Sequence, residues 1–351
     1  MSPAHLNPAY SASQAWVRAR LSRLLTGEDW LRLLESRNSA EMVRLLRGTW
    51  AEPAVAGDSR VILRVLIAES ASAACILARF IPQKPRELFA WYNRRYEIQN
   101  LKIVLRSIHY RADRDRAMAS LIPLAHGDWK WETLFESGSA PALLDRLRDS
   151  PYGRPLEQGL ERYSQEKRLF YLEIAIDLFY FQRLVKLIDA QTGADKADAR
   201  ADLGKWIQVQ NLIWAYRYRI YGQMRPEEIL NFTLHRAFSA GLEVVRRIAL
   251  GSPLIEEAAR LGFRLPAGHS NAESLTELEV LAERERYRAA AATLHRPMFS
   301  LAGALAYLSL LECEIRDLGV IAEGKSAGLT SEEIRPRLLR TIPASGGGGP
   351  R

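Results

Sequence analysis

The sequence has very little cysteine. Cys75 and Cys313 are its only two among 351 residues, and each lies in an apolar stretch with helical spacing. Two small buried side chains in a reducing compartment fit this context better than a disulfide does. Neither cysteine is grouped with histidines at the spacing that zinc sites require. These observations argue against a disulfide-stabilised secreted domain and against a structural zinc site.

Motifs for nucleotide and metal chemistry are missing as well. The sequence contains no GxxxxGK[ST] phosphate-binding loop. Its six histidines are scattered, and no two of them stand four residues apart as a helical metal-binding pair would. Glu173 and Asp177 share a helix face, but the Glu-x-x-His companion of helical carboxylate metal sites is absent. We therefore predict no catalytic, cofactor-binding or metal-binding residues.

Long hydrophobic runs are absent too. The longest apolar run, LAGALAYLSLL, spans Leu301 to Leu311, whereas a membrane-spanning helix needs about 20 apolar residues. The N-terminal segment contains no apolar stretch of the kind found in signal peptides. We expect a chain with no transmembrane segment of its own, in which the apolar run forms a buried helix.

Basic residues outnumber acidic ones. The chain has 49 lysines and arginines against 41 aspartates and glutamates, which gives a net charge of +8. Its hydrophobic fraction of 48% is that of a folded globular protein. A basic surface suits an acidic protein, an anionic membrane surface or nucleic acid, and the charge alone does not choose among them.

Helical periodicity runs through most of the chain. The segments Ala15–Thr26 and Leu169–Ile188 repeat apolar residues every three or four positions, and the second is apolar nearly all round. Alternating strand patterns bounded by Asn-Gly or Asp-Gly turns are absent. The sequence therefore predicts an all-α protein, followed by a flexible Gly-rich tail at residues 344–351.

Three segments of the sequence resemble one another. IQNLKIVLR, which begins at Ile98, is echoed by VQNLIWAYR from Val209 and more weakly by IRDLGVIAE from Ile315. The third residue of each segment is a short amide or carboxylate: Asn100, Asn211 and Asp317. These residues are 111 and 106 positions apart. The position six residues later is occupied by Arg106, Arg217 and Glu323.

The second and third copies also share an acidic stripe upstream. Glu173 and Glu279 each stand 38 residues before the aligned amide or carboxylate, and Asp177 and Glu283 each stand 34 before it. Residues four apart lie on one face of a helix, so each pair of acids forms part of a stripe. A third shared position, 30 residues before the aligned one, holds the aromatic residues Phe181 and Tyr287. In the first copy the three matching positions are apolar or small: Ile62, Leu66 and Ser70.

These repeats predict three related helical units of about 110 residues, at 1–118, 119–230 and 231–343. A buried amide that recurs at one place in each unit is expected to make the same hydrogen bond each time, either to the preceding helix or to a loop backbone. An unsatisfied buried polar group costs roughly 1–3 kcal/mol. We therefore assign structural roles to seven residues: Asn100, Asn211, Asp317, Glu173, Glu279, Asp177 and Glu283.

The three repeat segments carry a family resemblance. YNRRYEIQNLKIVLRS, KWIQVQNLIWAYRYRIYGQMRPEEI and LAYLSLLECEIRDLGVIAEGKSAGLTSEEI resemble the signature segments of the C subunit of the V-type and A-type ATPases, which is called the d subunit in eukaryotes. The segments occur in order and at the family's spacing. The resemblance covers the chain from about Tyr10 to Leu339.

The resemblance implies a three-lobed, funnel-shaped all-α protein with pseudo-threefold symmetry and no catalytic activity. It implies a central-stalk subunit on the cytoplasmic face of the membrane. The expected partners are the coiled-coil shaft with its companion subunit and the proteolipid rotor ring. Such a subunit receives the foot of the shaft in a socket and couples its rotation to proton or sodium transport.

The alternative interpretation is a basic helical repeat protein that binds RNA. The segment WAYRYRIYGQMR interleaves aromatic residues with Arg217, Arg219 and Arg225, and such patterns occur in nucleic-acid interfaces. The same aromatic residues fall on a helix that also holds the repeat core, so a charged face over an aromatic core is the favoured interpretation. These three arginines are our candidates for partner contact. A helical-bundle enzyme is a third possibility, and no acid, base or nucleophile pattern supports it.

Overall fold

The computed structural model describes residues 8–47, 49–51, 59–124, 129–234, 239–295 and 300–342. Within these ranges every regular element is a helix and no strand occurs, which confirms the all-α prediction. The predicted flexible tail at 344–351 lies outside the described residues.

The described part of the chain contains nineteen α-helices. The first ten are α1 (Ser11–Leu21), α2 (Gly27–Glu35), α3 (Ser39–Leu45), α4 (Ser59–Ala78), α5 (Gln83–Asn93), α6 (Arg95–Tyr110), α7 (Arg114–Met118), α8 (Trp131–Phe135), α9 (Ala140–Leu147) and α10 (Gly153–Glu166). The others are α11 (Phe170–Ala190), α12 (Gly193–Ala199), α13 (Lys205–Ile220), α14 (Pro226–Asn231), α15 (Ser239–Ala249), α16 (Leu254–Arg260), α17 (Asn271–Leu294), α18 (Leu301–Ser326) and α19 (Ser331–Ile334). A π-helical turn, Arg200–Gly204, joins α12 to α13.

Side-chain caps start several of the short helices. The Thr26 hydroxyl accepts a hydrogen bond from the backbone N–H of Asp29 at the start of α2, and the Asp29 carboxylate accepts one from the backbone N–H of Thr26. Thr330 and Glu333 make the same reciprocal pair at the start of α19. Each capping box satisfies two backbone donors that the helix itself leaves free.

The chain forms two compact units. The terminal unit combines residues 1–83 with residues 283–351, and the central unit comprises residues 84–282. The described parts of the terminal unit thus combine residues from Leu25 to Leu66 and from Ile315 to Ile342 in one core. The three repeat units and their pseudo-threefold arrangement stay predictions.

The core of the terminal unit is built around α18. Residues along almost the whole length of this helix are buried, and its apolar side chains share one cluster with residues of α2, α3 and α4. Helices α4 and α18 approach closely at Gly319, where an added Cβ would lie only 2.8 Å from Cδ2 of Leu63. The absence of a side chain at Gly319 therefore allows this packing.

One described helix has the length and composition of a membrane span. The stretch Val61–Ala78 of α4 has a mean hydropathy of 2.0, and 33% of it is buried. From the sequence we considered only the shorter run at 301–311. Core helices of soluble proteins meet the same criterion, and Ile62 and Leu66 of α4 are buried in the cluster that contains α18. The absence of a transmembrane segment stays a prediction.

The central unit is organised around α11 and α13. Helix α11 packs along α10, and its first turns share a buried cluster with α13, α15 and α16. Aromatic rings fill the middle of the unit: Phe181 of α11 lies 5.1 Å from both Trp206 and Trp214 of α13, measured between ring centroids. These contacts place the long apolar helix that the sequence predicts at the centre of this unit.

Helices α10 and α11 touch at Gly159. A Cβ at this position would lie 2.6 Å from the backbone carbonyl oxygen of Tyr171 and 3.2 Å from Cβ of Ala175. Real Cβ atoms do not approach a backbone oxygen this closely, and the carbonyl cannot move without moving the α11 backbone. The two helix axes would have to separate to admit any side chain here.

We predict that Gly159→Ala lowers the free energy of unfolding by about 1–3 kcal/mol, because overpacking a helix contact forces a backbone shift. The same substitution in an unhindered helix raises stability by up to about 1 kcal/mol. Gly27 of α2 is the matched control, because no atom lies within 4 Å of the position of its added Cβ. Urea denaturation of both variants measures the difference. A Gly159→Ala protein as stable as Gly27→Ala would contradict the close approach.

Candidate functional site

Asn100 lies fully buried in the middle of α6, and its amide is satisfied on both sides. Its Nδ2 donates to the backbone carbonyl of Ile122 at 2.9 Å, and its Oδ1 accepts from the backbone N–H of Ile122 at 2.8 Å. Ile122 belongs to the irregular segment that follows α7. The buried amide therefore fixes a loop backbone against the helix.

The two residues aligned with Asn100 make the corresponding bond. Oδ1 of Asn211 in α13 accepts from the backbone N–H of Leu234 at 2.7 Å, and Oδ1 of Asp317 in α18 accepts from that of Leu339 at 2.8 Å. Both acceptors are buried. From the sequence, either a preceding helix or a loop backbone was a possible partner, and the structure shows the backbone of the chain downstream in each case. That the three residues mark equivalent places in three units stays a prediction.

The third copy differs in carrying a carboxylate, and Arg340 accounts for the difference. Nε of Arg340 donates to Oδ2 of Asp317 at 2.8 Å, while the guanidinium stacks over the ring of Trp30 at 3.6 Å. Both charged side chains are more than nine-tenths buried. A buried carboxylate needs such a charged partner. The matching residues after Ile122 and Leu234 are Pro123 and His235, so the first two copies have no arginine at this place.

A second buried carboxylate, Glu314, adjoins this ion pair. Its Oε2 accepts from the Trp50 indole N–H at 2.7 Å, and its Oε1 lies 3.5 Å from Nη1 of Arg340. Burial raises the pKa of Glu314 to about 7, and Arg340 and Trp50 only partly oppose that rise. The guanidinium of Arg340 thus faces two carboxyl groups. When Glu314 is protonated and neutral, the negative charge of Asp317 balances the positive charge of Arg340.

Acidic-stripe residues form ion pairs in the central unit. Glu173 of α11 accepts from Nε of Arg106 in α6 at 2.6 Å, and Asp177 of the same helix pairs with Lys102. Burial raises the pKa of Asp177, while Lys102 opposes the rise. Two neighbouring carboxylates on α11 are therefore matched by two cations, one turn apart, on α6.

The third and fourth acids of the stripe are paired too. Glu279 of α17 accepts from Nη2 of Arg217 in α13 at 2.6 Å, and Glu283 pairs with Arg316 of α18. From the sequence we aligned Arg106 with Arg217 and Glu173 with Glu279, but did not connect the two sets. The signal was available, because each arginine precedes the glutamate that it binds by a similar number of residues, 67 and 62.

The apolar stripe of the first copy has a structural counterpart. Ile62 and Leu66 of α4 are buried with Leu318 and Ile321 of α18 in the terminal unit. Helix α18 carries an exposed glutamate, Glu323, where α6 and α13 carry the pairing arginines. An apolar contact therefore stands here in place of the acid–arginine pairs of the other two copies.

The three arginines predicted to contact a partner differ in their surroundings. Arg217 is paired with Glu279, and Arg219 donates from Nη1 to the backbone carbonyls of Ile248 and Ser252, both at 2.7 Å. Arg225 lies just before α14 with 80% of its side chain exposed, and its Nε is 3.8 Å from Glu228. Arg219 therefore has a structural contact, and Arg225 is the most accessible of the three.

Reactive groups are few in the described ranges. No three side chains of His, Cys, Asp or Glu gather there as a metal-binding group. Cys313 is buried, and burial raises the pKa of its thiol to about 12, so it carries no thiolate near neutral pH. The polar contacts in these ranges hold helices and loops together.

We predict that Asn211→Leu lowers the free energy of unfolding by about 1–3 kcal/mol, because the buried N–H of Leu234 loses its acceptor. Asn231→Leu, which alters an exposed amide at the end of α14, is the matched control and should change stability much less. Thermal and urea denaturation provide the measurement. Equal effects of the two substitutions would remove the special role assigned to the buried amide.

We predict that the contribution of Glu314 to the free energy of unfolding falls as the pH rises from about 4.5 to about 7. Because its pKa is raised in the folded protein, folding favours the protonated form, and this contribution is fully present below the ordinary pKa and lost as the pH passes 7. The full difference is up to about 3 kcal/mol. Glu314→Gln should remove this contribution, so that between about pH 4.5 and 7 the free energy of unfolding of the variant falls less, or rises more, than that of the wild type.

Glu323→Gln is the matched control for Glu314→Gln, because Glu323 lies on the same helix and is exposed. It should leave the pH dependence of unfolding unchanged. A Glu314→Gln profile parallel to that of the wild type between pH 4.5 and 7 would show that Glu314 titrates normally.

Comparison with known proteins identifies the chain's relatives. The sequence profile of the ATP synthase (C/AC39) subunit family matches residues 13–337. The C subunit of the A-type ATP synthase of Methanosphaera stadtmanae is 25% identical over 339 residues, covering 94% of this chain and 88% of the relative. That of Haloquadratum walsbyi is 26% identical over 364 aligned positions, covering 97% and 100%. That of Methanosarcina mazei is 24% identical, covering 95% and 93%.

The family match includes all three repeat segments and the residues that carry the buried amides and carboxylate. The resemblance found in the sequence is confirmed over nearly the same range. The chain belongs to the ATP synthase (C/AC39) subunit family.

Proposed function

We propose that this chain is a non-catalytic central-stalk subunit of a rotary V/A-type ATPase. In this role it forms a socket on the cytoplasmic face of the membrane, receives the central shaft, and couples its rotation to the proteolipid ring for proton or sodium transport. The family match across residues 13–337 carries the proposal. Relatives that align with nearly the whole chain are named as the C subunit of A-type ATP synthase.

The way the helices are tied together supports a mechanical role. Buried polar bonds join α6, α13 and α18 to chain segments 22 or 23 residues downstream. In the terminal unit, the hydroxyl of Ser331 also donates to the backbone carbonyl of Leu34 at 2.6 Å, linking segments far apart in sequence. A protein that transmits torque must resist relative sliding of its helices. Directional bonds in a close-packed core provide that resistance.

The charge distribution suits acidic partners. The net charge is +8, and Arg225 is widely exposed. By contrast, Arg217 and Arg219 already have partners within the central unit. A nucleic-acid interface needs several free cations beside one another. The pairing of two of the three candidate arginines weakens the RNA alternative.

The proposal predicts two different salt responses. Binding to the coiled-coil shaft should bury apolar surface and persist as the salt concentration rises. RNA binding through phosphate neutralisation would fall steeply over the same range. We expect stable complexes with the shaft and with the proteolipid ring, and no appreciable RNA binding at physiological salt. The measurement is a pair of titrations, shaft and RNA, across a salt series.

Arg225→Ala and Arg219→Ala extend the same experiment. Arg225→Ala should leave stability unchanged, whereas Arg219→Ala should destabilise the protein, because two backbone carbonyls lose their donor. Tight, salt-sensitive RNA binding by the wild type without any shaft binding would overturn the stalk assignment and support the RNA-binding alternative.

A further inference from the structure

The C-terminal ends of α6, α10 and α13 meet at the start of α11 in the central unit. Three contacts bring them together: Arg106 with Glu173, His109 with Tyr163, and Tyr218 with Phe170. Because α11 begins only four residues after α10 ends, all of these contacts lie at one end of the unit. Residues that follow the last turns of α6, α10 and α13 are therefore close to one another.

Two widely exposed tyrosines lie at this end. Tyr110 is 70% exposed at the end of α6, and Tyr221 is 59% exposed immediately after α13. Each stands ten residues after its repeat asparagine, Asn100 or Asn211. The chain then changes direction after each of them through a left-handed residue, Arg111 or Gln223. Two copies of the repeat thus present a tyrosine ring to solvent at the same position.

Basic residues surround these tyrosines. The three segments that converge here, residues 106–116, 161–168 and 217–228, contain ten lysines and arginines against six acidic residues, and eight against six once Arg106 and Arg217, which are paired with Glu173 and Glu279 outside these segments, are set aside. Lys167 and Arg168 are exposed in the turn between α10 and α11, and Lys167 itself adopts a left-handed conformation. We call the patch formed by Tyr110, Lys167, Arg168, Tyr221 and Arg225 the tyrosine surface.

The chemistry of the tyrosine surface favours lipid headgroups over a protein helix. Among the described residues of the three segments, the exposed large hydrophobic side chains are both tyrosines, and the exposed aliphatic side chain that lies near them is a single leucine, Leu250, which follows the Ile248 carbonyl bound by Arg219. A groove for an amphipathic helix is lined by several aliphatic side chains rather than by one. A tyrosine ring has an apolar body and a polar hydroxyl, which suits the boundary between acyl chains and water. Lysine and arginine beside it are attracted to anionic headgroups.

We propose that the tyrosine surface binds the anionic headgroups of a lipid bilayer. Tyr110 and Tyr221 place their rings at the headgroup level, and Lys167, Arg168 and Arg225 contact phosphate oxygens. The contact is with lipid rather than with another protein of the assembly, so it goes beyond the stalk role and is tested with this chain alone. Its failure would leave the stalk assignment intact.

Co-sedimentation with vesicles tests the proposal. The full-length chain should bind vesicles of phosphatidylcholine with phosphatidylglycerol, bind pure phosphatidylcholine vesicles much less, and dissociate as the salt concentration rises. Lys167→Glu/Arg168→Glu should weaken binding by about tenfold or more, since each cation near the surface is worth about 1 kcal/mol. Tyr110→Ala/Tyr221→Ala should weaken binding by at least about threefold at constant net charge.

Arg146→Glu/Arg148→Glu provides the matched charge control. Both arginines are exposed on and just after α9, and the Arg148 backbone lies beside Gly153 at the start of α10. Helix α10 is about 21 Å long, so this pair lies at the opposite end of that helix from Lys167. Leu45→Ala is the control for loss of an exposed apolar side chain, because Leu45 is 39% exposed on α3, which belongs to the terminal unit and not to the three segments of the tyrosine surface. Both controls should bind like the wild type.

Three outcomes would overturn the proposal. The first is equal binding to neutral and anionic vesicles, or none to either. The second is equal weakening by the Arg146→Glu/Arg148→Glu control, which would mean that net charge alone drives binding. The third is normal binding by the tyrosine variant. The vesicle binding would then be a diffuse attraction to basic residues, or the tyrosine surface would bind an acidic protein instead of lipid. Circular dichroism and melting temperature confirm that each variant is folded.

Discussion

A backbone N–H that is buried away from water must find an acceptor, and this chain supplies one from a helix at three places. Asn100, Asn211 and Asp317 each reach the backbone of a residue 22 or 23 positions downstream. An irregular segment cannot satisfy its own backbone groups as a helix does, so it could not be packed inside without such an acceptor. Asparagine and aspartate are unfavourable in a helix interior, but here their side chains supply the acceptor that allows the loop to pack.

The contacts between helices likewise depend on residues that match on both sides. Where the acidic stripe is present, on α11 and α17, α6 and α13 carry the arginines that bind it. Where the stripe is apolar, on α4, the contacting helix α18 has a glutamate, Glu323, in place of the arginine, and the two helices share an apolar cluster that includes Leu318 and Ile321. A change on one side alone would leave an unpaired charge against an apolar surface, which costs more than either matched contact.

The sequence predicted the helical class and the positions of the buried amides, because both leave a periodic trace. Helical spacing is a local property, and the repeat placed Asn100, Asn211 and Asp317 without any structure. The hydrogen-bond partners could not be predicted, because every residue except proline has a backbone N–H and nothing in the sequence distinguishes that of Leu234. Arg340 and Glu314 were missed for another reason: their cluster occurs once, so no repeat marked it. The span-like composition of α4 was overlooked, since only uninterrupted apolar runs were considered.

The buried positions of the repeat hold similar residues in all three copies, whereas the exposed positions do not. Inward, the short amide or carboxylate at position 100, 211 or 317 keeps its acceptor oxygen, because the same backbone donor must be satisfied each time. Outward, ten residues later, the chain carries Tyr110, Tyr221 and Ala327, which are all exposed. Stability therefore explains the inward residues but not two exposed tyrosines, whose apolar rings lie in water. An exposed apolar side chain that does not stabilise the fold is a candidate for a binding role. In this chain Tyr110 and Tyr221 are such side chains, and they belong to the same surface as Lys167, Arg168 and Arg225.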